Sequence, residues 1–408
     1  MLVKEYLDRF LHPEKYDMME VERKRKEREV YLDKIRGCLF GGAVGDALGY
    51  PIEFKKESAI WEKYGKYGIT EYQLDVKTGK ALISDDTQMS LFTATGILSG
   101  DTRGCLRGIQ GPTAGYVYKA YFDWLMTQDV PYGSEEAEKK REISWLMDVP
   151  ELYARRVPGN TCISALEELK YHGKNGYRDI FLKRNDSKGA GGIMRVAPLA
   201  LAYPGLNKLD QLDNDASEIA MITHCHSLGY MPAAVITHII NRVVYSPKKM
   251  NLEEIVIEAR DAIARIYADD DHLPRLLTII NLAMHLAEND SDDLTNIHKI
   301  GEGWVAEETL GIALYCALRY QDDFSAGIIA SVNHNGDSDT TGAVTGNLLG
   351  AIVGYEAIEN KWKEKLELAE VILEVADDLC YGCLMDEYST YRDPKWEDKY
   401  IYRRRHKE

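Results

Sequence analysis

The sequence predicts an all-α protein, a compact orthogonal helical bundle, and two observations support this prediction. Apolar residues recur at the three- and four-residue spacing of helices over most of the chain after Ile35, whereas the alternating pattern of strands is rare. Turn-forming stretches rich in Gly, Asn and Ser, such as 65–68, 185–192 and 333–339, separate these segments. The predicted helices are 87–98, 114–127, 161–171, 230–245, 252–267, 274–287, 305–320, 324–332, 340–357 and 361–380.

Composition divides the chain into three parts. Residues 1–34 predict a charged helical extension, in which the charge run at 20–29 is typical of a solvated helix face. Residues 35–385 predict one large helical domain, within which the polar stretch 129–157 indicates a surface excursion. Residues 386–408 predict a polar C-terminal tail.

Charge and cysteine content limit the classes of function. The net charge of -16, from 50 Lys and Arg against 66 Asp and Glu, argues against general nucleic-acid binding, which needs a basic surface. The seven cysteines are scattered and mostly lie in apolar segments, as is typical of reduced thiols in a cytosol. Residues 1–30 lack the apolar core of a signal peptide, and the apolar runs are shorter than a membrane span. We therefore expect a cytoplasmic protein that does not enter a membrane.

Two short acidic motifs, Ser84-Asp85-Asp86-Thr87 and the stretch 337–341, each precede an apolar helix. Capping of the first helical turn is the simplest explanation of such residues. A cap, however, requires one carboxylate, whereas each motif offers two. Capping therefore does not explain the second acid of each motif.

A metal site would give these acids a purpose. If the two helix starts converge, their four carboxylates and that of Glu53 repel one another unless cations offset the charge. Oxygen ligands favour Mg²⁺ or Mn²⁺ over softer metals, and two such ions about 3.5–4 Å apart could activate a water molecule. From the residues alone, the convergence of the two motifs is an assumption.

Six stretches of the sequence together resemble the ADP-ribosylglycohydrolase family over most of the chain from Ile35 to about Glu359. They are 35–54, 83–89, 159–162, 187–198, 222–226 and 333–350, and they occur in the family's order. The resemblance implies a compact helical fold, two Mg²⁺ or Mn²⁺ ions, and hydrolysis of the glycosidic bond between ADP-ribose and an acceptor. The metal positions that it implies are Ser84, Asp85, Asp86, Asp337, Asp339 and Thr340.

The resemblance also implies catalytic and substrate-binding positions. Glu53 falls beside the metals, and either Glu53 or Asp86 could accept the proton of the attacking water. The substrate-binding positions that it implies are Asn160, Thr161, Gly189, Gly191, Gly192, Met194, His224 and Trp304.

Most of these substrate positions also have a simpler structural explanation. The glycines would allow backbone N–H groups to approach a pyrophosphate, or would merely form a tight turn. Asn160 and Thr161 could cap a helix. For His224 and His226, hydrogen bonds that stabilise a loop are a better explanation than metal binding. Trp304 could stack on adenine or be a half-buried core residue.

One position departs from the family and bears on specificity. The nitrogenase-regulating branch carries an Asp two residues before the motif at 159–162, where this chain has Val157. Valine cannot pair with a guanidinium, so we expect the preferred leaving group not to be a protein arginine, unless Asp148 or Glu151 reaches the cleft. The acceptor is otherwise open: a protein side chain, a nucleic-acid end or a small molecule.

The same acids are compatible with other functions, and the sequence also contains a pair of closely spaced cysteines. A metal-dependent hydrolase of nucleotides or phosphoanhydrides would use the same acids, and the fold family also contains non-enzymatic, crystallin-like relatives. Cys380 and Cys383 form a single CxxC motif, which we expect to be structural or incidental rather than a zinc or redox site.

Overall fold

A computed structural model describes residue 8 and residues 11–205, 208–247 and 250–405, and helices dominate it. The helices are α1 (Pro13–Glu29), α2 (Leu32–Gly49), α3 (Glu57–Tyr64), α4 (Asp85–Arg107), α5 (Thr113–Asp129), α6 (Glu135–Lys140), α7 (Asn160–His172), α8 (Ala197–Ala202), α9 (Leu209–Met221), α10 (Ser227–Tyr245), α11 (Leu252–Ile266), α12 (Leu273–Ala287), α13 (Asp293–Ile300), α14 (Ala306–Arg319), α15 (Phe324–Val332), α16 (Ser338–Val353), α17 (Asn360–Lys363), α18 (Ala369–Tyr381) and α19 (Pro394–Tyr400). Within these ranges, β-pairing is limited to two isolated bridges, Ala81 with Leu366 and Gly189 with Val305. The prediction of an all-α fold is confirmed.

Helices α2 and α16 form a tightly packed antiparallel pair at the centre of the molecule, with glycines along the whole contact. The facing positions, with the distance from an added Cβ to the opposing carbonyl oxygen, are Gly37 and Gly350 (2.2 Å), Gly41 and Gly346 (2.3 Å), Gly45 and Gly342 (1.9 Å), and Gly49 and Ser338 (2.2 Å). Real Cβ atoms essentially never approach an atom so closely. Only glycine therefore permits this backbone-to-backbone packing, which places the end of α2 against the start of α16.

The remaining helices surround this pair. Helix α4 packs against α5 and α8, and α10 lies between α9, α11 and α14. The largest fully buried side chains include Trp124 of α5, Trp362 of α17 and Tyr315 of α14. A large apolar core includes residues from Ile35 to Tyr400, and a small second cluster consists of Met126, Ala137 and Met147.

The structure corrects three expectations about local structure. The predicted helix 361–380 is two helices, because residues 364–368 leave the helical path and Leu368 has a φ of 58°. That break lets the Lys365 carbonyl accept from Ala81 N at 2.8 Å. The stretch 129–157 is not merely a surface excursion, since Trp145 within it is fully buried. Helix α2 was absent from the predicted helices.

Both ends of the described chain pack onto the helical body. Helix α1 contacts α18, and in α19 Trp396 is buried and donates from Nε1 to Thr102 Oγ1 of α4 at 2.9 Å. The boundaries at residues 34 and 385 stay a prediction. Among the described residues, the structure contains no helix with the length and apolarity needed to cross a membrane.

Candidate active site

Asp46, in the last turn of α2, organises the start of α4. Its carboxylate accepts hydrogen bonds from the backbone N–H of Ser84 at 2.9 Å and of Thr87 at 3.1 Å, and from the Thr87 hydroxyl at 2.5 Å. Asp46 is fully buried. Sequence reasoning missed this residue, although an acid within a helix of small apolar residues was a usable signal.

Three carboxylates meet where α2 ends and α16 begins. Glu53, just after the short 3-10 turn Tyr50–Ile52, lies with Asp337 and Asp339 so that one oxygen of each falls within 4.8 Å of the others. The two aspartates are buried, and Glu53 is half-buried. This is a cluster of hard oxygen donors that could hold a divalent cation.

The acids of the first motif lie close to this cluster. Asp85 and Asp86 occupy the first turn of α4 and are only 6% and 3% exposed. Burial and then the charge of Asp339 raise the pKa of both carboxyls well above the ordinary value. The glycine-lined contact of α2 and α16, together with the hydrogen bonds from the start of α4 to Asp46 of α2, thus brings together two motifs that are distant in the chain.

Helix capping does not account for these acids. Ser84 caps α4, since its hydroxyl accepts from Asp86 N at 3.2 Å. Asp337 precedes α16 without a capping bond from its side chain. One carboxylate oxygen of Asp86, Oδ2, is buried and has no hydrogen-bond partner among the described residues. Burying a carboxylate oxygen without a partner is energetically costly, which favours a role for Asp86 as a ligand of a cation.

Mutual repulsion and burial disfavour the ionised form of the whole cluster. Burial, followed by the charges of Asp339 and Asp337, raises the pKa of Glu53 to about 10. Burial likewise raises the pKa of Asp337 to about 6, and burial with the charge of Asp339 raises the pKa of Asp46 to about 7. Without cations, several of these groups would hold protons at neutral pH.

The glycine-rich loop at 187–192 packs directly onto His224. An added Cβ at Gly191 would lie 2.8 Å from His224 Cε1 and 2.8 Å from Cys162 Sγ, and one at Gly189 would lie 3.2 Å from His224 Nε2. His224 is 2% exposed, and its Nδ1 shares a hydrogen bond with Thr223 Oγ1 at 2.8 Å. Burial, then the charge of Arg195, lowers the pKa of His224 to about 3. The neutral ring therefore supports the loop from beneath.

Other predicted substrate residues border the same loop. Met194 is buried, and its carbonyl accepts from Ser90 Oγ at 3.2 Å. Asn160 is exposed and Thr161 half-buried at the start of α7. The N-cap of α7 is Gly159 rather than either of them, so the capping explanation does not apply. Thr161 Oγ1 lies 3.3 Å from Ser187 Oγ of the loop.

An aromatic pair stands at the edge of the site. Trp304 is 37% exposed and stacks on Phe54, with 5.2 Å between ring centroids and 24° between planes. Phe54 follows Glu53 directly, and the Trp304 carbonyl accepts from Ala190 N of the loop at 3.2 Å. Gly192 lies deeper, with an added Cβ 2.7 Å from the Gly229 carbonyl oxygen. Trp304 is therefore a surface residue between the acids and the loop, not a core residue.

Arg195 is a second residue that sequence reasoning missed. Its side chain is fully buried beneath the loop, donates to Thr223 Oγ1 at 2.6 Å and lies over the Tyr121 ring at 4.5 Å. It also donates to the Ile219 carbonyl at 3.3 Å. This cation joins α5 and α9 below the loop. The signal was an arginine inside an otherwise apolar stretch.

The segment that carries Val157 is fixed at both sides. Arg156 donates to the Ile83 carbonyl at 3.3 Å and to Glu367 at 3.0 Å, whereas Gly159 N donates to Asp85 Oδ2 at 3.3 Å. Between them Val157 has a φ of 52° and is 52% exposed. A β-branched residue in this backbone region is strained and rare. The structure thus holds an exposed apolar side chain two residues before the backbone N–H that donates to Asp85.

Comparison with known proteins gives a consistent result. A family model described as ADP-ribosylglycohydrolase matches residues 27–389. ADP-ribosylarginine hydrolase Tri1 of Serratia proteamaculans is 25% identical and covers 86% of this chain and 80% of its own. The ADP-ribosyl-dinitrogen reductase glycohydrolase of Rhodospirillum rubrum is also 25% identical, covering 82% and 91%. ADP-ribosylhydrolase ARH3 of Mus musculus is 23% identical, covering 82% and 88%.

A solved structure also resembles this chain. It belongs to an ADP-ribosylglycohydrolase-related protein complex and aligns with a TM-score of 0.59 at 23% identity. The alignment covers 86% of this chain and 98% of that one. At this identity the likeness shows a shared fold.

Proposed function

Because this chain belongs to the ADP-ribosylglycohydrolase family and is therefore an enzyme, we propose that it releases ADP-ribose from an ADP-ribosylated acceptor with the help of two divalent cations. The observation that carries the proposal is the convergence of buried acids from α4 and α16 on Glu53. The relatives named as hydrolases and the acidic cluster that this chain retains argue against a non-enzymatic, crystallin-like role.

The residues around the cluster suit Mg²⁺ or Mn²⁺. The side chains that would hold the two ions are Ser84, Asp85, Asp86, Asp337, Asp339 and Thr340, all of them buried oxygen donors. The unpartnered Asp86 Oδ2 and the raised pKa values of the acids support this assignment. When bound, the cations would supply charge compensation and a water molecule of lowered pKa.

Two carboxylates are candidates for accepting the proton of that water. Glu53 is half-buried at the entrance, whereas Asp86 is almost fully buried. We expect Glu53→Gln and Asp86→Asn to differ in a paired measurement of turnover and of Mg²⁺ affinity by calorimetry. Substitution of the proton acceptor should lower turnover with little change in Mg²⁺ affinity. Substitution of a metal ligand should lower both turnover and Mg²⁺ affinity.

The loop and the aromatic pair suit the two ends of ADP-ribose. We assign the backbone around Gly189, Gly191 and Gly192 to the pyrophosphate, since glycine allows close approach to backbone N–H groups. We assign Trp304, which is exposed beside that loop, to stacking on the purine ring. His224 and Met194 act through the loop, because both side chains are buried.

Val157 and its surroundings indicate that a protein arginine is not the preferred leaving group. The alternative acid Asp148 is already paired with Arg141 at 2.5 Å and accepts from Arg405 N at 2.9 Å. Glu151 remains exposed. The relative Tri1 is named as an ADP-ribosylarginine hydrolase. Measuring the turnover of ADP-ribosylarginine protein by this chain and by Tri1 side by side therefore tests the inference directly.

The deciding experiment is a turnover screen with Mg²⁺ or Mn²⁺ supplied. ADP-ribosylated arginine, ADP-ribosylated serine, ADP-ribosylated nucleic-acid ends and small ADP-ribosylated guanidines would be offered in parallel, with free ADP-ribose as the measured product. Release of AMP or phosphate instead would favour the alternative phosphoanhydride hydrolase. Fast hydrolysis of ADP-ribosylarginine protein, undiminished in Asp148→Ala/Glu151→Ala, would contradict the inference from Val157.

A further inference from the structure

A second cleft lies at the far end of α4 from the acids. It has a volume of about 440 Å³, and Asp101, Cys105, Tyr203 and Cys383 are among the residues that line it. Cys105 is 20 residues along α4 from Asp85, which at about 1.5 Å per residue separates the two by roughly 30 Å. The cleft is therefore independent of the candidate active site.

Two half-exposed cysteines from different parts of the chain meet in this cleft. Cys105 Sγ lies 4.0 Å from the Cys383 carbonyl oxygen, and both residues line the cleft. The sequence motif had paired Cys383 with Cys380 instead. Cys380, however, is buried, and its thiol donates to the Arg28 carbonyl at 3.3 Å. Tertiary contact thus replaces the CxxC pair by a pair that is 278 residues apart.

The surroundings distinguish the two thiols. The hydrogen bond from Cys383 lowers the pKa of Cys105 to about 7, with Arg28 and Lys24 acting in the same direction against burial and the charge of Asp101. The same hydrogen bond, and then burial, raises the pKa of Cys383. A partly exposed thiol of lowered pKa beside a second thiol is the arrangement of a nucleophilic cysteine with its resolving partner.

The other cysteines differ from this pair. Cys38, Cys162 and Cys316 are fully buried, and burial raises the pKa of each. Cys225 is half-exposed like Cys105, but its thiol donates to the Met221 carbonyl at 3.6 Å within its own segment. Cys225 is therefore a matched control for Cys105.

We propose that Cys105 and Cys383 form a thiol modification site that reacts with small disulfides of the glutathione type. The Cys105 thiolate attacks one sulfur of the small disulfide and expels one small thiolate, which leaves a mixed disulfide on Cys105. Cys383, after losing its proton to solvent, attacks Cys105 Sγ and expels the second small thiolate. The two protein thiols are oxidised by two electrons, and the small disulfide is reduced to two thiols.

Glutathione disulfide is the probe for the test, with intact-mass and peptide mass spectrometry as the readout. We expect the wild-type chain to lose two hydrogens without a lasting adduct and to yield a peptide linked through Cys105 and Cys383. Cys383→Ser should instead accumulate one glutathione on Cys105, because the resolving thiol is missing. Cys105→Ser should remain unmodified at Cys383, and Cys225→Ser should behave as the wild type.

The pH dependence of the first step provides an independent measurement. In the Cys383-containing protein, the rate of Cys105 modification should have its midpoint near pH 7, below the value of about 8.5 for an ordinary thiol. The proposal is overturned if Cys383→Ser carries no adduct on Cys105, or if Cys383 reacts equally fast in Cys105→Ser. Modification of Cys225 at the rate of Cys105 would also overturn it.

Discussion

Replacing Gly41 by alanine tests the packing that builds the candidate site. Gly41 lies in the middle of α2, one turn before Gly45 and away from the acids, and faces Gly346 across the contact. An added Cβ would lie 2.3 Å from the Gly346 carbonyl oxygen, whereas ordinary contacts begin at 3.4 Å. Helices α2 and α16 would therefore have to separate by about 1 Å.

The energetic cost follows from two opposing effects. Overpacking a filled core costs about 1–3 kcal/mol, and we take the upper value because a backbone carbonyl cannot rotate away as a side chain can. Alanine recovers about 1 kcal/mol in helix propensity. The net loss of about 2 kcal/mol in the free energy of unfolding corresponds to a fall in Tm of about 2–3 °C for 408 residues.

The same displacement should impair the candidate site. Glu53 follows α2 and Asp339 lies in the first turn of α16, so a shift of about 1 Å between the helices should misplace the acids and lower turnover by about 100-fold. Thermal unfolding and ADP-ribose release would measure the two effects. Gly115→Ala is the matched control, since its Cβ would meet nothing closer than 3.4 Å. An unchanged or higher Tm for Gly41→Ala, or an equal loss in Gly115→Ala, would refute the reasoning.

Three further predictions concern the acids and the strained segment. Asp339→Asn should lower turnover by about 100-fold with the fold intact. The control Asp322→Asn, on the exposed surface, should leave turnover and circular dichroism unchanged. Near-normal turnover in Asp339→Asn would show that Asp339 does not belong to the site. The folded-state pKa values of Asp337, about 6, and Glu53, about 10, lie above the ordinary 3.8 and 4.5. The folded metal-free protein therefore binds more protons than the unfolded chain, and its stability should fall as pH rises from about 4 through these values. Saturating Mg²⁺ should reverse the trend in thermal unfolding; a metal-free Tm that rises steadily from pH 5 to pH 8 would contradict this. Val157→Gly should raise the free energy of unfolding by about 1 kcal/mol. The substitution relieves backbone strain of about 1–3 kcal/mol at a φ of 52°, but the greater entropy of glycine in the unfolded chain offsets part of this gain. A lower denaturant midpoint would show that Val157 is not strained.

The sequence alone determined the helical class, and it indicated most of the acids of the candidate site. Segments such as 324–332 carry their apolar periodicity locally, and the structure has a helix over the same residues. The surplus of carboxylates at the two helix starts indicated a cation site because one acid is enough for a cap. Both inferences depend on interactions between near neighbours in the chain.

Helix α2 shows why local patterns were not sufficient. Glycines weaken a helix prediction because glycine has a poor helix propensity, so this central helix was not among the predicted ones. Its glycines nevertheless recur every four residues at 37, 41, 45 and 49, the spacing of one helix face, and 342, 346 and 350 repeat it in α16. The spacing was visible in the sequence, but its meaning depends on a partner helix.

Only the tertiary structure decided which distant residues meet. The convergence of Asp85 with Asp339, the bonds of Asp46 to the start of α4, and the contact of Cys105 with Cys383 all join segments that are far apart in the chain. The sequence directly specifies the chemistry of each residue and its neighbours along the chain. Contacts of this kind arise instead from how helices pack, because burial and close approach are properties of two surfaces together.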